Sequence, residues 1–310
     1  MVDGMQQISW VDRGQSVSFE KQPEDSSRPT CVGVARLGSL QTSGTAFTVW
    51  LQLRGSAWVE AKEGKFRLRQ REWIAFEKES RPLIQAGRDG LGIGISLDAE
   101  ALRTLGALAD CSLYTGRGRM GRGEARLALR LWREAVEASH LPHMLRPLLL
   151  HLASLQRELS VGVQRCPGRS RSRKRQVFGR MQRARLYLEG NSHRVVRIGE
   201  LAELTNFSSW YLSKTFQTLY DESPQSLSAR LRLERAAMLL RDTDMMVGEV
   251  AAASGFDNCC SFARAFRARF GTSATRYRAA TEVPPAKLGK VSGRVAQTNR
   301  SSVNVTFSGV

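Results

Sequence analysis

The sequence predicts an α+β protein: a small antiparallel β-barrel or sandwich with helices, then an all-α domain of two helix-turn-helix units joined by a long helix. Three observations carry this prediction. Short apolar segments separated by Gly and charged residues run from about Thr30 to Leu97. Apolar residues then recur at helical spacing. Finally, a repeat lies between about Ile198 and Arg278. A chain of 310 residues with 42% hydrophobic and 25% charged residues can bury a core in each of two domains.

In the first half the β-like runs are Cys31 to Leu37, Ala46 to Leu53, Ala57 to Ala61, Phe66 to Arg69, Trp73 to Phe76 and Leu91 to Leu97. Alternation from Phe47 to Leu53 fits a half-buried strand. Trp50, Trp58, Trp73 and Phe76 read as core residues, with an apolar pocket as the alternative.

Asp98 is placed to cap a helix reaching about Ala109, and Ala128, Leu131, Trp132, Ala135 and Val136 share one helical face. A further helix is expected from Leu141-Pro142, with Leu148, Leu152, Leu155 and Leu159 forming a narrow seam. That seam reads as intrachain core or as a dimer contact. The amino-terminal domain thus spans 1–160, with a helical hairpin at 121–160. The stretch VGVQRCPGRSRSRKRQ, 161–176, reads first as a solvated basic linker, with contact to phosphates as the lesser alternative. Helices are expected over 177–281, and 282–310, which is rich in Ser, Gly, Asn and Thr, as a disordered tail.

The repeat aligns Gly199-Glu200-Leu201-Ala202 with Gly248-Glu249-Val250-Ala251, and Phe207 with Phe256. One residue inserted near Asp257-Asn258 then brings Leu212, Lys214, Phe216 and Ser223 over Phe262, Arg264, Phe266 and Ser273. Each copy has a short helix containing a small residue, a turn, an N-cap residue and a second amphipathic helix. Leu212, Phe216 and Leu219 should be buried in the first copy, and Phe262, Phe266 and Phe270 in the second. The opposite faces carry Ser209, Trp210, Ser213, Lys214 and Gln217, and Asn258, Cys260, Ser261, Arg264 and Arg267. Arg, Lys and Ser can bond base edges in a major groove, and apolar groups can meet thymine methyls. Two ordinary helical hairpins would not share register, cap and basic position.

Charge points the same way. There are 47 Lys and Arg against 29 Asp and Glu, a net +18, which favours a polyanion. The longest apolar run, Pro147 to Leu155, is too short to span a membrane, and the first residues lack a signal-peptide pattern, so a cytoplasmic protein is expected. Five cysteines at 31, 111, 166, 259 and 260 form no disulfide framework or CxxC pair, and the four histidines show no zinc-ligand spacing; neither metal nor cofactor is expected.

The stretches ELAELTNFSSWYLSKTF (200–216), RLRLERAAMLLRDTD (230–244), EVAAASGF (249–256), SFARAFRARFG (261–271) and RYR (276–278) resemble the AraC/XylS transcriptional regulators. The resemblance covers about a third of the chain. It implies base contacts from Trp210, Ser213 and Lys214 and from Cys260, Ser261 and Arg264, in successive major grooves. It also implies a cupin-like amino-terminal domain that binds a small effector or forms a homodimer, and an activator that meets RNA polymerase. Asp221 replaces a usual Gly, and Ala274 a usual Pro; Asp tolerates the left-handed backbone.

Two rival classes differ from this reading. A DNA-modifying or repair enzyme could use the helical domain for targeting, yet the first half offers no Ser/His/Asp set, phosphate loop or zinc motif. An architectural protein would bind without base preference. Cys259-Cys260 also raises a thiol-sensor reading, against which stands the strain of a vicinal disulfide.

Overall fold

The computed structural model describes residues 10–19, 30–42, 47–109, 112–137 and 145–282. Its amino-terminal half is a two-sheet sandwich. The strands are β1 Trp10–Val11, β2 Ser16–Phe19, β3 Thr30–Ala35, β4 Ser39–Thr42, β5 Phe47–Arg54, β6 Ser56–Ala61, β7 Gly64–Arg69, β8 Glu72–Phe76, β9 Leu83–Ala86, β10 Leu91–Leu97 and β11 Gly116–Arg119. One sheet has the order β1-β3-β10-β5-β8-β11 and the other β2-β4-β9-β6-β7. Most pairings are antiparallel, but β1 runs parallel to β3 and β2 parallel to β4, so the sheets are mixed where purely antiparallel ones were expected.

Strand β5 departs from the expected half-buried pattern, because every residue from Phe47 to Gln52 is buried. Trp50 points into the sandwich with Val34, Phe66 and Ile84. Phe47, Val49 and Leu51 point the other way, under a layer of helices. Those helices are α1 Ala99–Ala109, α2 Arg122–Glu137, α3 Arg146–Leu155 and α4 Arg157–Val161. Asp98 caps α1, its Oδ1 accepting from the Ala101 N–H at 2.7 Å. Of the four aromatics read as core, Trp50, Trp73 and Phe76 are buried, whereas Trp58 is 56% exposed on the outer face of β6, a correction to that expectation. The space lined by Val34, Trp50, Leu68, Ile84 and Ala86 is too small for a water molecule.

The leucine seam is spent inside the chain. Leu148 and Leu152 are buried in the helical cluster, and Leu155 and Leu159 pack against it. The seam is not one helix: the chain breaks at Gln156, whose buried side chain bonds the Tyr114 carbonyl at 2.9 Å and the Tyr114 N–H at 2.8 Å. The expected helix start at Leu141-Pro142 lies outside the described residues, as does 283–310 of the expected tail.

The stretch 161–176 is not a solvated linker. A short 3₁₀ turn spans Gly162–Arg165, and helix α5, Arg171–Gly190, opens inside the basic run. Arg and Lys are good helix formers, and Ser170 supplies the cap, accepting from the Arg173 N–H at 3.2 Å. Val163 and Cys166 are buried. Helix α5 then serves both halves, with Leu186 in the sandwich core and Val177, Phe178, Met181, Ala184 and Leu188 in the core of the helical domain.

Candidate nucleic-acid interface

Among the described residues six helices follow α5: α6 Ile198–Thr205, α7 Ser209–Tyr220, α8 Pro224–Asp242, α9 Val247–Ala253, α10 Cys259–Phe270 and α11 Ala274–Glu282. They form two units with separate cores. The first unites α5, α6 and α7 around Leu201, Leu212, Phe216 and Leu219. The second unites α8, α9 and α10 around Leu240, Val250, Phe262 and Phe266. The expected apolar stripes are therefore inward, apart from Phe270, which is half-buried.

The repeat holds at the level of hydrogen bonds. The carboxylate of Glu200 accepts from the Arg197 N–H at 2.9 Å, and that of Glu249 from the Met246 N–H at 2.7 Å, closing the first turns of α6 and α9 alike. Ser208 Oγ accepts from the Tyr211 N–H at 3.2 Å and Asn258 Oδ1 from the Ser261 N–H at 2.8 Å, fixing where α7 and α10 begin. Both helices have 12 residues, and both end in a left-handed residue, Asp221 with φ 57° and Gly271 with φ 71°. Lys214 and Arg264 are each sixth in their helix, so common caps present them at the same angle.

Sequence reasoning missed a further repeated feature. The Arg180 guanidinium lies 5.1 Å from the Phe207 ring centre and donates to the Thr205 carbonyl at 3.3 Å. The Arg232 guanidinium lies 4.6 Å from the Phe256 ring centre and donates to the Gly255 carbonyl at 2.8 Å. Each long helix thus clamps the turn of the unit that follows it, through a cation over an aromatic face and a backbone bond. The paired phenylalanines were visible in the sequence; the arginines, embedded in basic helices, had nothing to set them apart.

On the outer faces, Ser209, Trp210, Lys214 and Gln217 are exposed and Ser213 is half-buried. Trp210 is 69% exposed, and the Lys214 ammonium lies 4.9 Å from its ring centre. In the second unit Asn258, Cys260, Arg264 and Arg267 are exposed and Ser261 is half-buried. Asn258 and Ser261 engage one another, since the Ser261 hydroxyl also donates to Asn258 Oδ1 at 2.5 Å. Their side chains set the helix start before they can meet anything else. Cys259 and Cys260 are free thiols in the first turn of α10.

An ionic cluster ties α6 to α5. Arg194 donates to Glu200 Oε2 at 2.7 Å and to the Tyr187 hydroxyl at 2.9 Å, while Tyr187 donates to Glu200 at 3.1 Å. The hydrogen bond from Arg194 holds the Glu200 carboxyl down at about 2, despite partial burial. At the far end of the domain Arg278 donates to the Leu240 carbonyl at 3.2 Å and the Met245 carbonyl at 2.5 Å, pinning α11 across the second unit.

Residues 201–280 match a family model described as a helix-turn-helix domain. The HTH-type transcriptional regulator CdhR of Pseudomonas aeruginosa is 35% identical over 122 residues, 35% of this chain and 36% of that one. The HTH-type transcriptional activator AarP of Providencia stuartii is 28% identical over 93 residues, 30% of this chain and 69% of that one. A solved structure of a probable AraC family transcriptional regulator from Rhodopseudomonas palustris is 33% identical, covers 33% of this chain and 96% of that chain, and superposes with a TM-score of 0.32. The match to CdhR spans about a third of that relative's length. Among the described residues no helix is long and apolar enough to cross a membrane.

Proposed function

We propose that this chain, whose residues 201–280 form an AraC/XylS-type helix-turn-helix domain, is a sequence-specific DNA-binding transcription regulator acting on promoter DNA in the cytoplasm. The observation that carries this reading is the pairing of α7 and α10, equal in length, capped by the same pattern of bonds, and carrying Lys214 and Arg264 at the same position on their exposed faces. Such helices fit successive major grooves about one helical turn, roughly 34 Å, apart on one face of the duplex. The site residues are Ser209, Trp210, Ser213, Lys214 and Gln217 in the first groove and Asn258, Cys260, Ser261, Arg264 and Arg267 in the second. Because the faces differ and the units form a direct repeat, one subunit reads an asymmetric site.

The protein acts without catalysis, in keeping with relatives named as regulators. The naming of one of them as an activator supports activation, and with it contact with RNA polymerase. The sandwich half is the regulatory and homodimer-forming part; its docking on α5 gives any change there, an effector's included, a direct path to the first unit. Selection of bound duplexes from a random pool, followed by footprinting, tests the reading. Two protected patches one turn apart are expected; uniform protection without base preference would overturn it.

A further inference from the structure

We propose that the folded basic shoulder from Arg165 to Arg175 is a third DNA-contact element, a phosphate clamp belonging to the first helix-turn-helix unit. This inference rests on the DNA-binding reading and adds to it a surface outside both recognition helices.

Residues 161–176 hold six Arg and Lys and no Asp or Glu. Residues 177–282, over six times as long, hold fifteen Arg and Lys against eleven Asp and Glu. The shoulder therefore carries a larger surplus of positive charge than the whole helical domain that follows it. Phosphate neutralisation dominates the affinity of proteins for DNA, and a domain with a surplus of four is poorly supplied for it. The two units are also unequal. Helix α10 exposes Arg264, Arg267 and Arg269, whereas Lys214 is the one cation in α7.

The shoulder is fixed to the unit whose recognition helix carries a single cation, Lys214. Arg165 donates to the Thr218 carbonyl and to Asp221, both at 2.7 Å, at the end of α7. Val163 and Cys166 are buried in the same core as Leu212, Phe216 and Leu219. Lys174 donates to the Gln164 carbonyl at 3.0 Å, and Arg173 to Gln176 at 2.7 Å, neutral partners that leave both charges unbalanced. Arg169, Arg171 and Arg173 are exposed. Held at the end of α7 by Arg165, the shoulder stands beside the recognition helix of the first unit, where phosphates bordering its groove would be within reach.

The opening of α5 carries a local cost. Arg173 and Lys174 bond only neutral groups there, where the helix dipole disfavours cations, and no acidic residue stands in its first turn. Phosphates facing that end would turn the cost into attraction, since they meet both the guanidinium groups and the positive pole of the helix.

The test compares the full chain with Arg169→Gln/Arg171→Gln/Arg173→Gln, measuring affinity for a selected duplex and for an unrelated duplex between 50 and 200 mM salt. Each lost phosphate contact removes about 0.9 from the slope of log affinity against log salt. Three lost contacts make the variant's affinity about 40-fold less salt-sensitive over that range. The loss should be equal on both duplexes, with base preference unchanged. Arg169→Lys/Arg171→Lys/Arg173→Lys should restore the slope, which separates charge from folding. An unchanged slope in the Gln variant, with the wild type still selecting its duplex, overturns the clamp alone. A wild type with no duplex preference overturns the regulator reading instead.

Discussion

Glu63, wholly buried at the tip of the β6–β7 hairpin, accepts a hydrogen bond from Arg183 of α5 at 2.9 Å and another from Ser80 at 2.8 Å. The other end of that guanidinium lies 3.7 Å from Glu77 and 3.9 Å from Glu79. Three carboxylates of the sandwich thus face one arginine of the helical half, and burial pushes the Glu77 carboxyl upward. Removing one partner of a buried pair strands the other charge and costs about 3–5 kcal/mol. Arg183→Met should therefore lower the urea midpoint by a corresponding amount. Adding Glu63→Leu should recover much of the loss, because the stranded charge is gone; no recovery would mean that the pair is not what holds this contact.

Beside that pair the two halves meet backbone to backbone. A Cβ on Gly190 would lie 2.4 Å from the Glu63 carbonyl oxygen and 2.6 Å from the Phe66 ring. Overpacking at a contact this close costs about 1–3 kcal/mol. Gly190→Ala should open the joint, seen as faster amide exchange in the β6–β7 hairpin and at the end of α5. Gly199→Ala is the control, since a Cβ there meets nothing within 4 Å and should be neutral or stabilising.

These joints explain what the sequence could and could not convey. The helical units were legible because capping residues and apolar spacing are local: Ser208, Asn258, Leu212 and Phe262 have the places the repeat assigns them. Asp221 adopts the left-handed backbone expected of it, and Ala274 is buried at the start of α11, as Pro224 is at the start of α8. Strands β1, β2, β4, β9 and β11 were missed because each has four residues or fewer: β4 and β9 alternate, burying Leu40 and Thr42 or Ile84 and Ala86, but too briefly to stand out, and Gly116–Arg119 has no apolar residue but Gly. The basic run looked like a linker because charge density was the strongest signal there. What folds it is the burial of Val163 and Cys166 against distant residues, which no local pattern announces.

The Glu200 cluster sets a pH dependence. Its folded value, about 2, lies below the usual 4.5, so its stabilising effect is complete above about pH 4.5 and is lost as pH falls toward 2. Acid unfolding of the first unit should accordingly shift to higher pH in Glu200→Gln, monitored by the amide NMR signals of α6 and α7. Coincident acid transitions in variant and wild type would show that the cluster contributes nothing to folding.

Among the described residues the thiols differ in burial. Desolvation pushes Cys31 up to about 12 and Cys166 to about 11, whereas Cys259 and Cys260 are exposed. Since the thiolate is the reactive form, iodoacetamide at pH 8 should modify Cys259 and Cys260 well before half-buried Cys31 and buried Cys166. A selected duplex should protect them if α10 occupies a groove. Mass spectrometry of digests reads both outcomes, and equal labelling with and without duplex would place the first turn of α10 outside the interface. Cys259→Ser/Cys260→Ser with an unchanged response to peroxide would remove the thiol-sensor reading.

Lys214 and Arg264 share a position but not a setting, and this difference gives the last prediction. The Lys214 ammonium rests 4.9 Å from the Trp210 ring centre, an exposed contact worth about 0.5–1 kcal/mol, so it meets DNA only by leaving the ring or carrying it along. Arg264 is exposed, and a guanidinium can bond guanine in two places. Arg264→Ala should weaken binding to the selected duplex by about 1–3 kcal/mol and relax preference at one base pair. Lys214→Ala should cost less, because the loss of a DNA contact is partly offset by freeing Trp210 to stack in the groove. Competition binding against duplexes substituted at each position distinguishes the two. An Arg264→Ala protein with unaltered affinity and preference would show that the sixth position of α10 does not read a base.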